Sequence, residues 1–150
     1  MAQKSYFHVC PILLAPQSVI LPGNFGRIQH LYNANSVGAL AYREKVLEDI
    51  RVAEFTAKPS RFRSCFLVET IEEAIAFRSI FNPFSEVYEV QIEASESPLH
   101  RGDWKKVAPP NVSPCFLTQM PVWARNYWSG VGIEHPEIVV ESPIRILRKA

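Results

Sequence analysis

Along this chain the spacing of apolar positions alternates between a period of two and a period near 3.6, and each change marks an element. Ser5 to Val9 is a short run of β-favouring residues and reads as a first strand. Pro11, Pro16 and Pro22-Gly23 then punctuate an irregular segment tied to the core by Leu13, Leu14, Val19, Ile20 and Leu21. From Leu40 to Phe55 the residues Leu40, Val46, Leu47, Ile50 and Phe55 recur near helical spacing, with charged residues between them, until Lys58-Pro59-Ser60 ends the pattern. Phe62 to Glu69 alternates as a second strand, with Phe62, Ser64, Phe66 and Val68 on one face. Thr70 followed by Glu73 is the spacing of a capping box. It opens a helix to about Phe81 that buries Ile71, Ala74, Ile75 and Phe77 and stops at Asn82-Pro83. Val87 to Ile92 is a third strand, Glu93 to about Gln119 a long Pro-rich connection, Pro121 to Ser129 a short helix and Ile138 to Leu147 a single final strand. Pro143 within that last strand calls for an edge or a bulge.

Composition changes this picture little. A chain of 150 residues that is 47% apolar is the size of one domain with a real core, here of α+β class. Sixteen basic and fifteen acidic residues nearly cancel, so global charge indicates no polyanion partner, although a nucleic acid remains possible. Lys58, Arg61 and Arg63, and Arg101 with Lys105 and Lys106, are local basic clusters that read first as solvated faces. Cys10, Cys65 and Cys115 are too few and too far apart for a disulfide framework or a zinc signature. Neither a secretory leader nor an apolar run of the ~18 residues needed for a membrane span is evident, so a cytoplasmic location and no membrane partner are expected.

Candidate chemistry comes from single residues. Phosphate-binding glycine loops, the H-E-x-x-H helix and the G-x-S-x-G elbow are all missing, and the four histidines share no metal-ligand spacing, so no metal is expected. His100 with Asp103 is the one compact pair. His8 inside the first strand is either a hydrogen-bonded core residue or a donor to a ligand hydroxyl at a cleft edge. Ser64 and Phe66 are either filler and core, or a hydroxyl and an aromatic surface for a planar heterocycle. Glu137 opens the last strand with Glu141 four residues on. They form either a solvated carboxylate row or supply one carboxylate able to bond a ribose hydroxyl and stabilise an oxocarbenium-like centre.

In that order, a His on the first strand, a Ser or aromatic on the second and a Glu opening a late strand resemble the ADP-ribosyltransferase superfamily. Tyr6-Phe7-His8 with the Pro22-Gly23 turn resembles the opening of the rifamycin ADP-ribosyltransferases. So do Phe66-Leu67-Val68-Glu69-Thr70-Ile71-Glu72-Glu73-Ala74 and Val87-Tyr88-Glu89-Val90 for two later stretches of that family. Pro136-Glu137-Ile138-Val139-Val140 is similar to the catalytic A-E-F-L-V segment of DNA-targeting ADP-ribosyltransferase toxins. Nearly the whole chain also resembles an uncharacterised bacterial family through an R-E-x-x-L-E-x-x-R helix (Arg43 to Arg51), a K-P-S-R-x-x-S element (Lys58 to Ser64) and a Y-W-x-G turn (Tyr127 to Gly130).

The superfamily resemblance implies two small packed antiparallel or mixed sheets around an NAD cleft with flanking helices. It implies His8 as a ribose-binding and catalytic residue, Glu137 as the catalytic carboxylate and Ser64 or Phe66 at the nicotinamide. Arg43, Arg51 or Arg61 would sit at the pyrophosphate. The implied activity is transfer of ADP-ribose from NAD to an unknown acceptor, a protein, nucleic acid or small molecule selected by Trp123 to Pro136. NAD hydrolysis and a non-catalytic nucleotide- or protein-binding module are the alternatives. Phe66 stands where the rifamycin enzymes carry a Tyr, and Asp103 and Glu141 rival Glu137 as the key acid.

Overall fold

The computed structural model describes residues 4–34, 38–107 and 115–150. Strands β1 (Tyr6–Cys10) and β2 (Val19–Ile20) are followed by helices α1 (Asn24–Gln29) and α2 (Gly38–Glu54). A 3-10 turn, Arg61–Arg63, leads into β3 (Cys65–Leu67), then α3 (Ile71–Phe81), β4 (Glu86–Ile92) and β5 (Leu99–Asp103). A second 3-10 turn, Trp104–Val107, precedes α4 (Phe116–Ser129), β6 (Pro136–Val140) and β7 (Ile144–Lys149).

The strands make two antiparallel sheets, one ordered β1-β4-β7-β2 and the other β3-β6-β5. They touch edge to edge at one bridge, where the N–H of Phe7 donates to the Val68 carbonyl and the N–H of Val68 to the Phe7 carbonyl, each at 2.9 Å. Residues on both sides of that bridge, Phe7 to Val9 and Phe66 to Val68, line a cavity. Between the sheets lies a core to which Cys65, Leu67, Ile138 and Val140 contribute from one side and Tyr88, Val90, Ile92, Ile144 and Ile146 from the other. Val139 points the opposite way, into a second core formed with Leu47 of α2 and Met120, Ala124, Tyr127 and Trp128 of α4. Strand β6 is therefore buried on both faces, and Glu137, two residues from Val139, shares the helix-facing side.

Local chemistry explains several boundaries. The capping box at α3 forms as its spacing predicts: the Glu73 N–H donates to the Thr70 hydroxyl and the Thr70 N–H to the Glu73 carboxylate, both at 3.2 Å. Other expectations give way. Ile75 is exposed, because α3 presses Ala74 rather than Ile75 against β1. The expected strand at Phe62 starts instead at Cys65, after the 3-10 turn. The expected single strand from Ile138 to Leu147 is two strands in different sheets. Pro143 has no N–H for a ladder, and at Glu141-Ser142-Pro143 the chain crosses from one sheet to the other.

The Pro-rich connection hides β5, whose Leu-His-Arg-Gly-Asp sequence lacks β-branched residues. Gly102 is needed there, since a Cβ would lie 2.5 Å from Cε2 of the Tyr127 ring. Helix α4 begins before Pro121, which sits inside it. Among the described residues no helix is long and apolar enough to cross a membrane.

Candidate functional site

Arg61 is the centre of the site. It is only 5% exposed, and every nitrogen of its guanidinium is engaged. Nε and Nη2 donate to the two oxygens of Glu44 at 2.8 and 3.2 Å, and Nη1 donates to Oε1 of Glu137 at 2.5 Å and to the Tyr127 hydroxyl at 2.7 Å. That hydroxyl in turn donates to the same Oε1 of Glu137 at 2.7 Å, closing a triangle. Glu44, Glu137 and Tyr127 are 1%, 6% and 0% exposed. Burial works against the charged forms, but the carboxylates of Glu44 and Glu137 hold Arg61 well above the usual arginine range. For Glu44 burial pushes upward too, and the Arg61 guanidinium overrides it and keeps the carboxyl below its usual range. Burial drives the Tyr127 phenol well above its ordinary value, so it is neutral and free to donate.

The turn that presents Arg61 is held by five side chains. Arg51 donates to Glu48 through Nε and Nη2 at 2.9 and 2.8 Å and through Nη1 to the Lys58 carbonyl at 3.1 Å. The Ser60 N–H donates to Glu141 at 2.6 Å, the Ser60 hydroxyl to Glu48 at 3.1 Å, and the Ser64 hydroxyl to the Ser60 carbonyl at 2.7 Å. Side chains thus satisfy the Lys58 carbonyl and both backbone polar groups of the buried Ser60. Two residues assigned to cofactor binding, Arg51 and Ser64, are spent on this cage and do not line the cavity. The rival acids are spent as well. Glu141 holds Ser60, and Asp103 accepts the N–H groups of Lys105 and Glu134 at 3.0 and 2.9 Å.

Arg61 and Glu137 of the triangle also line a cavity of about 380 Å³. His8 from β1, Phe66 from β3 and Glu137 from β6 all line it, joined by Arg61 and Arg43. His8 Nδ1 lies 2.8 Å from the Phe66 carbonyl oxygen, which can only accept, so Nδ1 carries the proton. Burial lowers the His8 pKa, the carbonyl bond offsetting part of the effect, and the ring is neutral at pH 7. Its Nε2 is therefore a lone-pair acceptor, which reverses the donor role expected from the sequence. Both bonds to Glu137 fall on Oε1, leaving Oε2 without a protein donor among the described residues. Arg43 donates through Nη2 to Glu44 at 2.9 Å while its Nε has no partner among the described residues.

Phe66 and Phe25 meet edge to face at 4.7 Å, and the Arg61 guanidinium lies 4.8 Å from the Phe66 ring centre. Trp123 to Pro136 does not form an acceptor-facing loop throughout, because Tyr127 and Trp128 are fully buried and the Trp128 indole donates to the Leu47 carbonyl at 2.8 Å. Glu44 and Tyr127 stand in motifs noted in the sequence but were not expected at the site, and Phe25 was not singled out at all. Glu44 carried a signal: it lies three and seven residues before Leu47 and Arg51 on one buried face of α2.

Fold and site together define a small α+β domain with a ligand-sized cavity over a buried arginine–carboxylate floor. The chain belongs to the family described as "Protein of unknown function (DUF2441)", whose model matches residues 23–150 and so leaves β1 with His8 outside the matched segment. No curated protein matches the chain.

Proposed function

We propose that the cavity binds the nicotinamide–ribose half of NAD and that the protein transfers ADP-ribose to an acceptor. The observation that carries this reading is convergence: of the positions singled out by the superfamily resemblance, His8, Phe66 and Glu137 stand on three separate strands and line one cavity, whereas Ser64, the other second-strand candidate, does not. The donor set fits. His8 Nε2 and Glu137 Oε2 are acceptors without protein donors among the described residues, and a ribose brings hydroxyl donors. Phe66 and Phe25 offer apolar surface to a planar ring, and Arg43 lines the cavity with a guanidinium suited to a phosphate.

In the transfer, the bond between the nicotinamide nitrogen and the ribose carbon breaks with its electron pair leaving on nicotinamide. The acceptor's oxygen or nitrogen bonds that carbon and releases its proton. Glu137 supplies the carboxylate facing the developing positive charge, already oriented by Arg61 and Tyr127 so that little reorganisation is needed. His8 holds the sugar and stays neutral.

Incubation with radiolabelled NAD tests this, with Glu137→Gln and His8→Ala alongside. Nicotinamide release and label transfer are expected from the intact protein, and release should fall by about 10²-fold or more in Glu137→Gln. Calorimetry that detects no NAD binding by folded protein, together with no nicotinamide release, sinks the proposal. The Arg61 cation beside Glu137 favours one other reading, a binding module without turnover. Tight NAD binding with no release of nicotinamide would select it, and release without labelled acceptor would select hydrolysis.

A further inference from the structure

We propose that Phe77, Phe81 and Trp104 form a second subsite of the same cavity, and that it takes a planar, uncharged aromatic group of a small-molecule acceptor. Naming the occupant an acceptor rests on the transfer reading above, whereas the aromatic subsite rests on geometry alone. The last two turns of α3 and the turn after β5 bring the three rings together. Phe77 and Phe81 lie 4.5 Å apart, and each meets Trp104 nearly edge to face at 5.9 and 5.2 Å. Phe81 is nonetheless 52% exposed, so a ring cluster of core-like geometry leaves apolar surface open at the cavity.

Charge narrows the occupant. Arg61 has spent its donors on Glu44, Glu137 and Tyr127. Lys105 lies 5.6 Å from the Trp104 ring centre, and Lys106 donates to the Val131 carbonyl at 2.5 Å. A phosphate at this wall would find no guanidinium fork, only the Lys105 ammonium over Trp104, whereas a neutral aromatic ring can pack on Phe77, Phe81 and the part of Trp104 that Lys105 and His135 leave free. A volume of about 380 Å³ is near the low end for pockets that enclose drug-sized ligands, which suits a compact molecule over a folded protein's surface.

Naphthol, an uncharged planar aromatic alcohol, is the probe, titrated by calorimetry without NAD into the intact protein and into Phe81→Ala and Trp104→Ala. Binding by the intact protein, weakened about tenfold in both variants, is expected. NAD affinity should fall less than naphthol affinity in Phe81→Ala, since Phe81 contacts Phe77 and Trp104 and makes no contact with His8 or Glu137 among the ring contacts of the described residues. Thermal melts accompany each titration, and the half-exposed Phe81 keeps the test meaningful if Trp104→Ala unfolds. Failure of folded protein to bind naphthol, or binding unchanged by Phe81→Ala, overturns the subsite. One-for-one competition with NAD overturns its being a second one. Naphthol binding lost in the variants, in a protein that does not bind NAD, upholds the subsite and overturns the acceptor assignment.

Discussion

The floor and the wall of the cavity solve opposite problems. On the floor, Arg61, Glu44, Glu137 and Tyr127 spend their hydrogen bonds chiefly on each other, leaving Glu137 Oε2 without a protein donor among the described residues. On the wall, Phe77, Phe81 and Trp104 make no such commitments and remain partly open to the cavity. A desolvated charge needs its partner, so the floor is rigid and intolerant. An apolar surface has no bonds to lose, so the wall can change its ligand without endangering the fold. Stability should therefore be sensitive to the floor and ligand affinity to the wall.

The sharpest way to break that contrast is Arg61→Met. It roughly keeps volume, leaves Glu137 without its cation and leaves Glu44 with Arg43 alone, which should cost about 3–5 kcal/mol. Urea denaturation reads this directly, and Phe81→Ala beside it should cost about 1 kcal/mol, since Phe81 is half in solvent. Equal costs would erase the distinction between floor and wall.

Acidification attacks the floor from beneath. His100 packs under Tyr127, its Nε2–H donating to the Tyr127 carbonyl at 2.9 Å, and burial lowers its pKa to about 4. The folded protein thus holds a neutral imidazole that the unfolded chain protonates near its ordinary value of 6.5. Stability is full above pH 6.5 and falls as pH drops toward about 4, by roughly 2–3 kcal/mol. His8, also held neutral by burial, loses stability in the same direction. Glu44 adds its loss only below its ordinary value of 4.5, because its folded pKa is depressed. Denaturation midpoints at pH 7 and pH 5 should differ clearly for the intact protein and less for His100→Gln, whose amide can still donate to the carbonyl.

Gly102→Ala tests how tightly the triangle is seated. The added methyl would press on the Tyr127 ring, which is locked between His100, Arg61 and Glu137. A cost of about 1–3 kcal/mol is expected, with NAD binding weakened because Glu137 loses its tether. A destabilised variant with undiminished NAD affinity would separate the floor from the site.

The sequence exposed the fold unevenly. Helices α2 and α3 were legible because period and punctuation agreed, down to Thr70 and Glu73. Strand β5 was not, because Gly102 is dictated by the Tyr127 ring across the fold and weakens every local strand signal. The division at Ser142-Pro143 was misread for a similar reason: which sheet a strand joins is a tertiary decision. Among candidate site residues, the order of His8, Phe66 and Glu137 on strands anticipated that they line one cavity. Arg51 and Ser64 look identical in sequence to ligand-binding residues, and only their bonds to Lys58, Ser60 and Glu48 reveal a structural cage. The motifs Arg43 to Arg51 and Lys58 to Ser64 thereby acquire one shared purpose, to bury Arg61 beside Glu137.

Thr70→Ala carries the smallest expected effect and asks whether the wall can be loosened alone. Thr70 caps α3, which bears Phe77 and Phe81, and no floor residue lies on that helix. Removing the hydroxyl frees the Glu73 N–H and should cost about 1 kcal/mol. Hydrogen exchange should quicken in the first turn of α3 while the amides of β6, buried on both faces, keep their protection. Naphthol affinity should fall slightly and NAD affinity hold. Faster exchange in β6 as well would mean that wall and floor open as one cooperative unit, and the contrast between them would then be chemical without being mechanical.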